Sequence, residues 1–178
     1  MPLFGRPAVP LRRHAGILGH APAVDETFGQ QALALWRGQP LPDLPAEAFA
    51  GKVVIDANNY YPQRDGQIPE LDREETTSSE LLARHLAGAR IVKSFNTMNF
   101  RPLGSDGRPD APRAERLAIY LAGDDEGAKE IVAGLIDEVG FAPVDTGSLH
   151  EGGVRQQPGS PIYNNPMTAE EAEAAVTS

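Results

Sequence analysis

Residues 51–63 read GKVVIDANNYYPQ, and the reading of this stretch decides the fold. Lys52-Val53-Val54-Ile55-Asp56-Ala57 is a short β-branched run without polar alternation. That pattern predicts a strand buried on both faces, as in a parallel sheet. Asn58 and Asn59 close it, and residues 62–75 form a polar loop punctuated by Pro62, Gly66 and Pro69. Thr77-Ser78-Ser79-Glu80 then opens a helix, because a hydroxyl residue with Glu two or three positions later can cap the first free amides. Leu81, Leu82, His85 and Leu86 supply its apolar stripe, and Gly88 stops it. Residues 89–95 (ARIVKSF) return as a second strand.

The same order recurs downstream. Residues 116–122 (RLAIYLA) predict a strand, and residues 125–139 a helix with Ile131, Val132, Leu135, Ile136 and Val139 on one face. Asp124 or Asp125 is its N-cap, and Gly140 ends it. Residues 141–145 form a last strand, which Pro143 confines to an edge. Residues 151–167 read as loop, and Thr168 caps a short C-terminal helix. Strands near 52–57, 90–95, 116–122 and 141–145, with helices near 78–87 and 125–139, give an α/β fold. Its sheet is mostly parallel and Rossmann-like, with parallel pairing across each helical crossover.

The N-terminal quarter is different. Residues 1–45 hold seven of the 16 prolines and five of the 18 glycines. They read as an irregular segment ahead of a patterned body at 46–178. Arg6, Arg12 and Arg13 make the first 24 residues basic, but Pro2, Pro7 and Pro10 oppose a continuous amphipathic helix, so a disordered arm is expected. Gly16-Ile17-Leu18-Gly19 is a bare GxxG fragment. Residues 25–37 could form a short helix or a poor strand. The whole chain has 178 residues and a net charge of −9, which argues against a nucleic-acid binder. It has no cysteine, which removes disulfides and thiolate metal sites and suits a cytoplasmic protein. No apolar run has membrane-spanning length.

Four blocks in order carry a family resemblance: GKVVIDANNYYPQ (51–63), SSELLARHLAGARIVKSFNT (78–97), LAGDDEGAKEIVAGLIDEVGFAPVDTGSL (121–149) and QQPGSPIYNN (156–165). Together they make residues 43–165 similar to the deazaflavin-coenzyme-dependent NADP oxidoreductases and related NADP-binding reductases. The resemblance implies a Rossmann domain that binds NADP and passes hydride to or from a deazaflavin, a flavin or another small substrate. Such domains open with a strand, a GxGxxG turn and a helix that receives the pyrophosphate. No GxGxxG stands in this sequence. The body matches the second half of the domain, and the first βαβ unit is apparently lacking.

Ligands of open α/β sheets bind beyond the carboxyl ends of strands. Asn58 and Asn59 follow the first strand, and Asn96 and Thr97 follow the second. These four are the candidate cofactor-binding residues, and the resemblance puts the KSFNT block near the nicotinamide. Turn formation is the alternative reading for each. Tyr60 and Tyr61 are candidate substrate-binding residues, an aromatic wall for a flat ring, or else they pack their own loop. Arg64 could meet an anion or be solvated. No metal is expected. Gly123-Asp124-Asp125 lacks a third ligand and reads as a cap, and His14, His20, His85 and His150 lack a metal-binding spacing. His150 is the one histidine worth testing as a proton donor.

Two functions are therefore expected: an NADP-dependent oxidoreductase, or a truncated, non-enzymatic remnant acting as an interaction module that does not bind dinucleotide alone. The absent fingerprint predicts weak NADPH binding by this chain. It also predicts a homo-oligomer, joined at an open edge near strand 52–57 or 90–95.

Overall fold

Alternating apolar strand residues must be covered on two faces, and the chain covers them with helices. A computed structural model describes residues 45–177. The readings made on residues 1–44 (the basic arm, the GxxG fragment, the segment 25–37) lie outside the described residues. A 3-10 turn, Ala46–Phe49, leads into strand β1 (Val53–Asp56). The polar loop after it holds two single turns, α1 (Pro62–Asp65) and α2 (Pro69–Asp72), each with Pro in its first turn. Then come α3 (Ser78–His85), β2 (Arg90–Ser94) and α4 (Phe100–Ser105). The second unit is β3 (Ala118–Gly123), α5 (Glu126–Glu138) and β4 (Ala142–Asp145), followed by α6 (Glu151–Arg155) and α7 (Ala169–Thr177).

Among the described residues the sheet has the order β1-β2-β3-β4. β1 and β2 pair in parallel, as do β3 and β4, each pair across its helical crossover. β2 and β3 meet antiparallel, with Val92 opposite Gly123 and Ser94 opposite Leu121. The sheet is thus mostly parallel, and β4 with its Pro143 is an edge as expected. Asp125 is the N-cap of α5, accepting from Ala128 N at 2.7 Å. Thr77 and Glu80 form a full capping box at α3.

Period-two alternation sorts the core into layers. Val53, Ile55, Val92, Ile119 and Leu121 face α5 and pack on Val132, Ile136 and Phe141. Val54 and Ile91 point the other way, onto Leu82 of α3 and Leu86 at its C-cap. Ala118, Tyr120 and Val144 share that second face with Ala172 of α7. Burying each large aliphatic side chain contributes about 1.5–3 kcal/mol. Two loop readings change. Residues 151–155 are helix α6, and 100–105 are helix α4 within what reads as one long loop. Single-turn helices of five or six residues carry too little periodicity to announce themselves.

Candidate functional site

Because β1 and β2 run parallel, their carboxyl ends reach the same side of the sheet, and the residues beyond them meet. Asp56 ends β1 opposite Lys93 of β2. Both point to the α3 face, since they alternate with Ile55 and Val92, which face α5. Both are buried. Asp56 organises the turn that follows it. Its Oδ1 accepts from Asn58 N and from Asn58 Nδ2, each at 3.0 Å. Its Oδ2 accepts from Ser79 Oγ of α3 at 2.6 Å. Lys93 Nζ donates to Asn58 O at 3.0 Å and lies 4.0 Å from Asp56 Oδ2. Burial pushes the Lys93 ammonium below its ordinary pKa, and the Asp56 charge opposes that shift.

With Asn58 turned back onto Asp56, Asn59 faces outward to β2's continuation. Asn59 Nδ2 donates to Asn96 O at 3.0 Å and to the Tyr163 hydroxyl at 3.2 Å. Asn96 Nδ2 returns a bond to Asn59 Oδ1 at 3.1 Å and another to Gln156 O at 2.8 Å. Phe95, between β2 and Asn96, has φ +64°, a left-handed conformation that a bulky residue rarely adopts. Such strain is held by its surroundings and gathers at functional sites. Gln156 is fully buried, and its Nε2 donates to Thr146 Oγ1 at 2.9 Å. Asn96 Oδ1 and Gln156 Oε1 are buried acceptors with no hydrogen-bond partner. A buried amide oxygen left unpaired is costly, so such atoms mark places where a donor from a ligand or water fits.

Two phenols flank the amides. The Tyr61 and Tyr163 hydroxyls are hydrogen-bonded to each other. Arg64 lies 4.9 Å over the Tyr61 ring and donates to Asn59 O at 2.8 Å. Burial, then the bond to Tyr61, pushes the Tyr163 phenol up to about 12.

The candidate residues therefore separate. Asn59, Asn96 and Tyr61 come together. Asn58 shapes the turn, with its amide on Asp56. Thr97 is buried, its carbonyl accepting from Asn164 N at 2.8 Å, and it lines a small cavity with Met98, Tyr120 and Ile162. Tyr60 serves its own loop. Its hydroxyl accepts from Ile68 N at 2.8 Å and lies 2.8 Å from Asp72 Oδ1. His150 Nδ1 lies 3.1 Å from Glu80 Oε2. Burial raises the Glu80 carboxyl, but bonds from His150, Thr77 and Thr76 outweigh it and hold the group below its usual range. Asp56, Gln156 and Tyr163 join the site without having been assigned to it, and Lys93 joins them from the KSFNT block. An acid and a base inside two apolar strands were the available signal.

A groove of about 430 Å³ runs along α3, lined by Glu70, Glu75, Glu80, Arg84 and Asp124 among others. Its acidic lining disfavours the phosphates of a dinucleotide, so the amide cluster is the better candidate site. Among the described residues no cluster of His, Asp and Glu could hold a metal ion. No helix there is long and apolar enough to cross a membrane.

No protein-family profile matches the chain. Over 104 residues it is 28% identical to metalloreductase STEAP3 of Rattus norvegicus, a stretch covering 58% of this chain and 19% of that protein. The chain thus spans about a fifth of the curated relative it matches. Among solved structures, a hypothetical protein from Sinorhizobium meliloti, SMa0349, aligns with a TM-score of 0.63 at 29% identity. That alignment covers 78% of this chain and 66% of that one. A putative F420-dependent NADP-reductase from Arthrobacter sp. FB24 aligns with a TM-score of 0.47 at 31% identity, over 59% and 47% of the two chains. The described residues form a Rossmann-like α/β fold, and over part of its length the chain is similar to a metalloreductase.

Proposed function

We propose that the described residues build the nicotinamide-and-acceptor side of an NADP-dependent oxidoreductase. One observation carries this reading. The Asn59 side-chain amide, which donates to the Asn96 main-chain carbonyl and accepts from the Asn96 side chain, sits at the carboxyl ends of two parallel strands, beside a buried Asn96 side-chain oxygen that lacks a donor. A nicotinamide carboxamide or a ribose hydroxyl offers that donor. Asn59 and Asn96 would orient the ring, and Tyr61 and Tyr163 would flank the ring or the acceptor. Arg64, already paired with Asp65, would brace the Tyr61 ring and the Asn59 carbonyl. The dinucleotide supplies the hydride, and the protein supplies orientation and exclusion of water. The relatives' names, a metalloreductase and a putative NADP-reductase, agree with this class of chemistry.

The pyrophosphate side is a different matter. Among the described residues no glycine-rich turn joins a strand to a helix of useful length. NADPH should therefore bind weakly, with a Kd on the order of millimolar. Reduced nicotinamide mononucleotide, which lacks the adenosine half, should bind almost as well. The test is a protein-observed NMR titration with both ligands on the full chain. Shifts at the Asn59 and Asn96 side-chain amides with either ligand, lost in Asn59→Ala, support the reading. No shift at either amide would sink it and favour the interaction-module alternative. Low-micromolar NADPH affinity would place a phosphate site in residues outside the amide cluster.

A further inference from the structure

A buried lysine facing a buried aspartate is an expensive way to fill space. Apolar residues of the same volume would usually stabilise the fold as well or better. The hydrogen bonds show what the lysine does instead. Both oxygens of Asp56 already have donors, Oδ1 from Asn58 and Oδ2 from Ser79. The ammonium lies 4.0 Å from that carboxylate but 3.0 Å from the Asn58 carbonyl. Asn58 is thereby gripped from two sides. Asp56 takes its N–H and its side-chain amide, and Lys93 takes its C=O. The next residue is Asn59, whose amide reaches Asn96 and Tyr163.

We propose that Lys93 is a positioning residue. Its bond to the Asn58 carbonyl fixes the 56–59 turn so that Asn59 presents its amide to Asn96 and to the nicotinamide. The proposal rests on the proposed function for the identity of the ligand, but the arrangement of Asn59 can be tested without any ligand. Lys93 does not touch the ligand. It acts through Asn58, on the strand neighbouring the turn, so its position relative to Asn96 is set by β2 itself.

Two variants separate positioning from plain support of the fold. Asp56→Asn keeps an oxygen for Asn58 and keeps a polar partner for Ser79, while removing the charge. Lys93 can then lose its proton and still donate to Asn58 O. The double variant Asp56→Asn/Lys93→Met removes that donor and leaves no buried charge behind. Both should fold, because neither leaves an unpaired ion. The side-chain amide resonances of Asn59 and Asn96 are recorded for each without ligand, followed by NADPH titration. In Asp56→Asn the two amides should stay close to their wild-type positions. In the double variant they should shift or broaden, and NADPH should bind roughly tenfold more weakly, the scale of one lost hydrogen bond. Thermal unfolding should differ little between the two. Amide resonances and affinity that are the same in both variants would overturn the proposal. A wild-type chain that binds no NADPH would overturn the proposed function, while the ligand-free amide spectra would still decide the role of Lys93.

Discussion

The two strand-helix-strand units of this sheet are built alike, and each carries one lysine–aspartate pair. In the first, Lys93 and Asp56 are both buried and 4.0 Å apart. In the second, Lys129 lies 2.8 Å from Asp145 and 2.8 Å from Glu126, whose carboxylates are largely in water. Burial depresses the Lys93 ammonium. Burial also works against Lys129, but its two carboxylate partners win and raise it. The antiparallel β2–β3 junction turns the units head to tail, and the register sets Ser94 of β2 level with Leu121 of β3 and Asp145 of β4, so the carboxyl ends of β2 and β4 approach each other from opposite directions. The difference teaches where a fold spends stability. The second unit pairs its buried lysine with carboxylates that keep their water. The first buries them under a turn that leads into a cluster of amides.

Removing one partner should expose that difference. Lys93→Met alone leaves Asp56 buried without its cation, a loss of about 3–5 kcal/mol. Chemical denaturation of the full chain measures it. A loss below that of an ordinary surface substitution would mean that water reaches Asp56 and that the two units do not differ in kind.

Gly152 seats α6 against the second unit and gives the next largest effect. It sits on α6, and a Cβ there would fall 2.5 Å from Thr146 Oγ1 and 2.7 Å from Ala122 Cβ. Gly152→Ala must push α6 outward, at a cost of about 1–3 kcal/mol. Gln156 follows the same helix, and its carbonyl takes the Asn96 amide. The variant should therefore perturb the Asn96 side-chain resonance as well as lowering Tm. A fall in Tm with an unchanged Asn96 signal would show the second unit to be uncoupled from the site. Lys129 is itself buried, but Lys129→Met leaves behind only carboxylates that are open to water, so it should cost less, about 0–1 kcal/mol. The same denaturation series measures it, and a loss as large as that of Lys93→Met would erase the contrast.

The sequence made one half of this comparison easier to read than the other. Both crossovers, both main caps and the edge position of β4 follow from local chemistry: β-branched runs, Thr77 with Glu80, the Asp124-Asp125 pair, and Pro143. The antiparallel β2–β3 junction does not, because residues 95–117 carry no periodic signal that fixes the direction of return. At the site, Asn59 and Asn96 could be proposed from their places just beyond two strands. Gln156 and Tyr163 arrive from a stretch far along the chain, and only the folded chain brings them to Asn59. Asp56 and Lys93 were visible as polar breaks in apolar strands, but their pairing depends on register, which the alternation of side chains constrains without fixing the partner.

The smallest effect concerns the phenols beside the amides, and it has a definite sign. Tyr163 titrates at about 12 in the folded chain against 10.0 for an ordinary tyrosine. A folded-state pKa above the unfolded value favours the protonated group. Its contribution to stability is complete below about pH 10 and is lost as pH rises towards 12. Burial is the larger cause and the Tyr61 hydroxyl the next, with Arg64 pulling the other way. Tyr61→Phe removes the second cause and leaves the first, so Tyr163 should move only part of the way back to 10.0. The hydroxyl-bearing ring carbon of each tyrosine, followed by NMR through alkaline pH, resolves the four groups individually. Titration of Tyr163 near 10 in the wild type would mean that the pair is open in solution. A value unmoved by Tyr61→Phe would assign the whole shift to burial, and the Asn59 amide would then be the phenol's one functional neighbour.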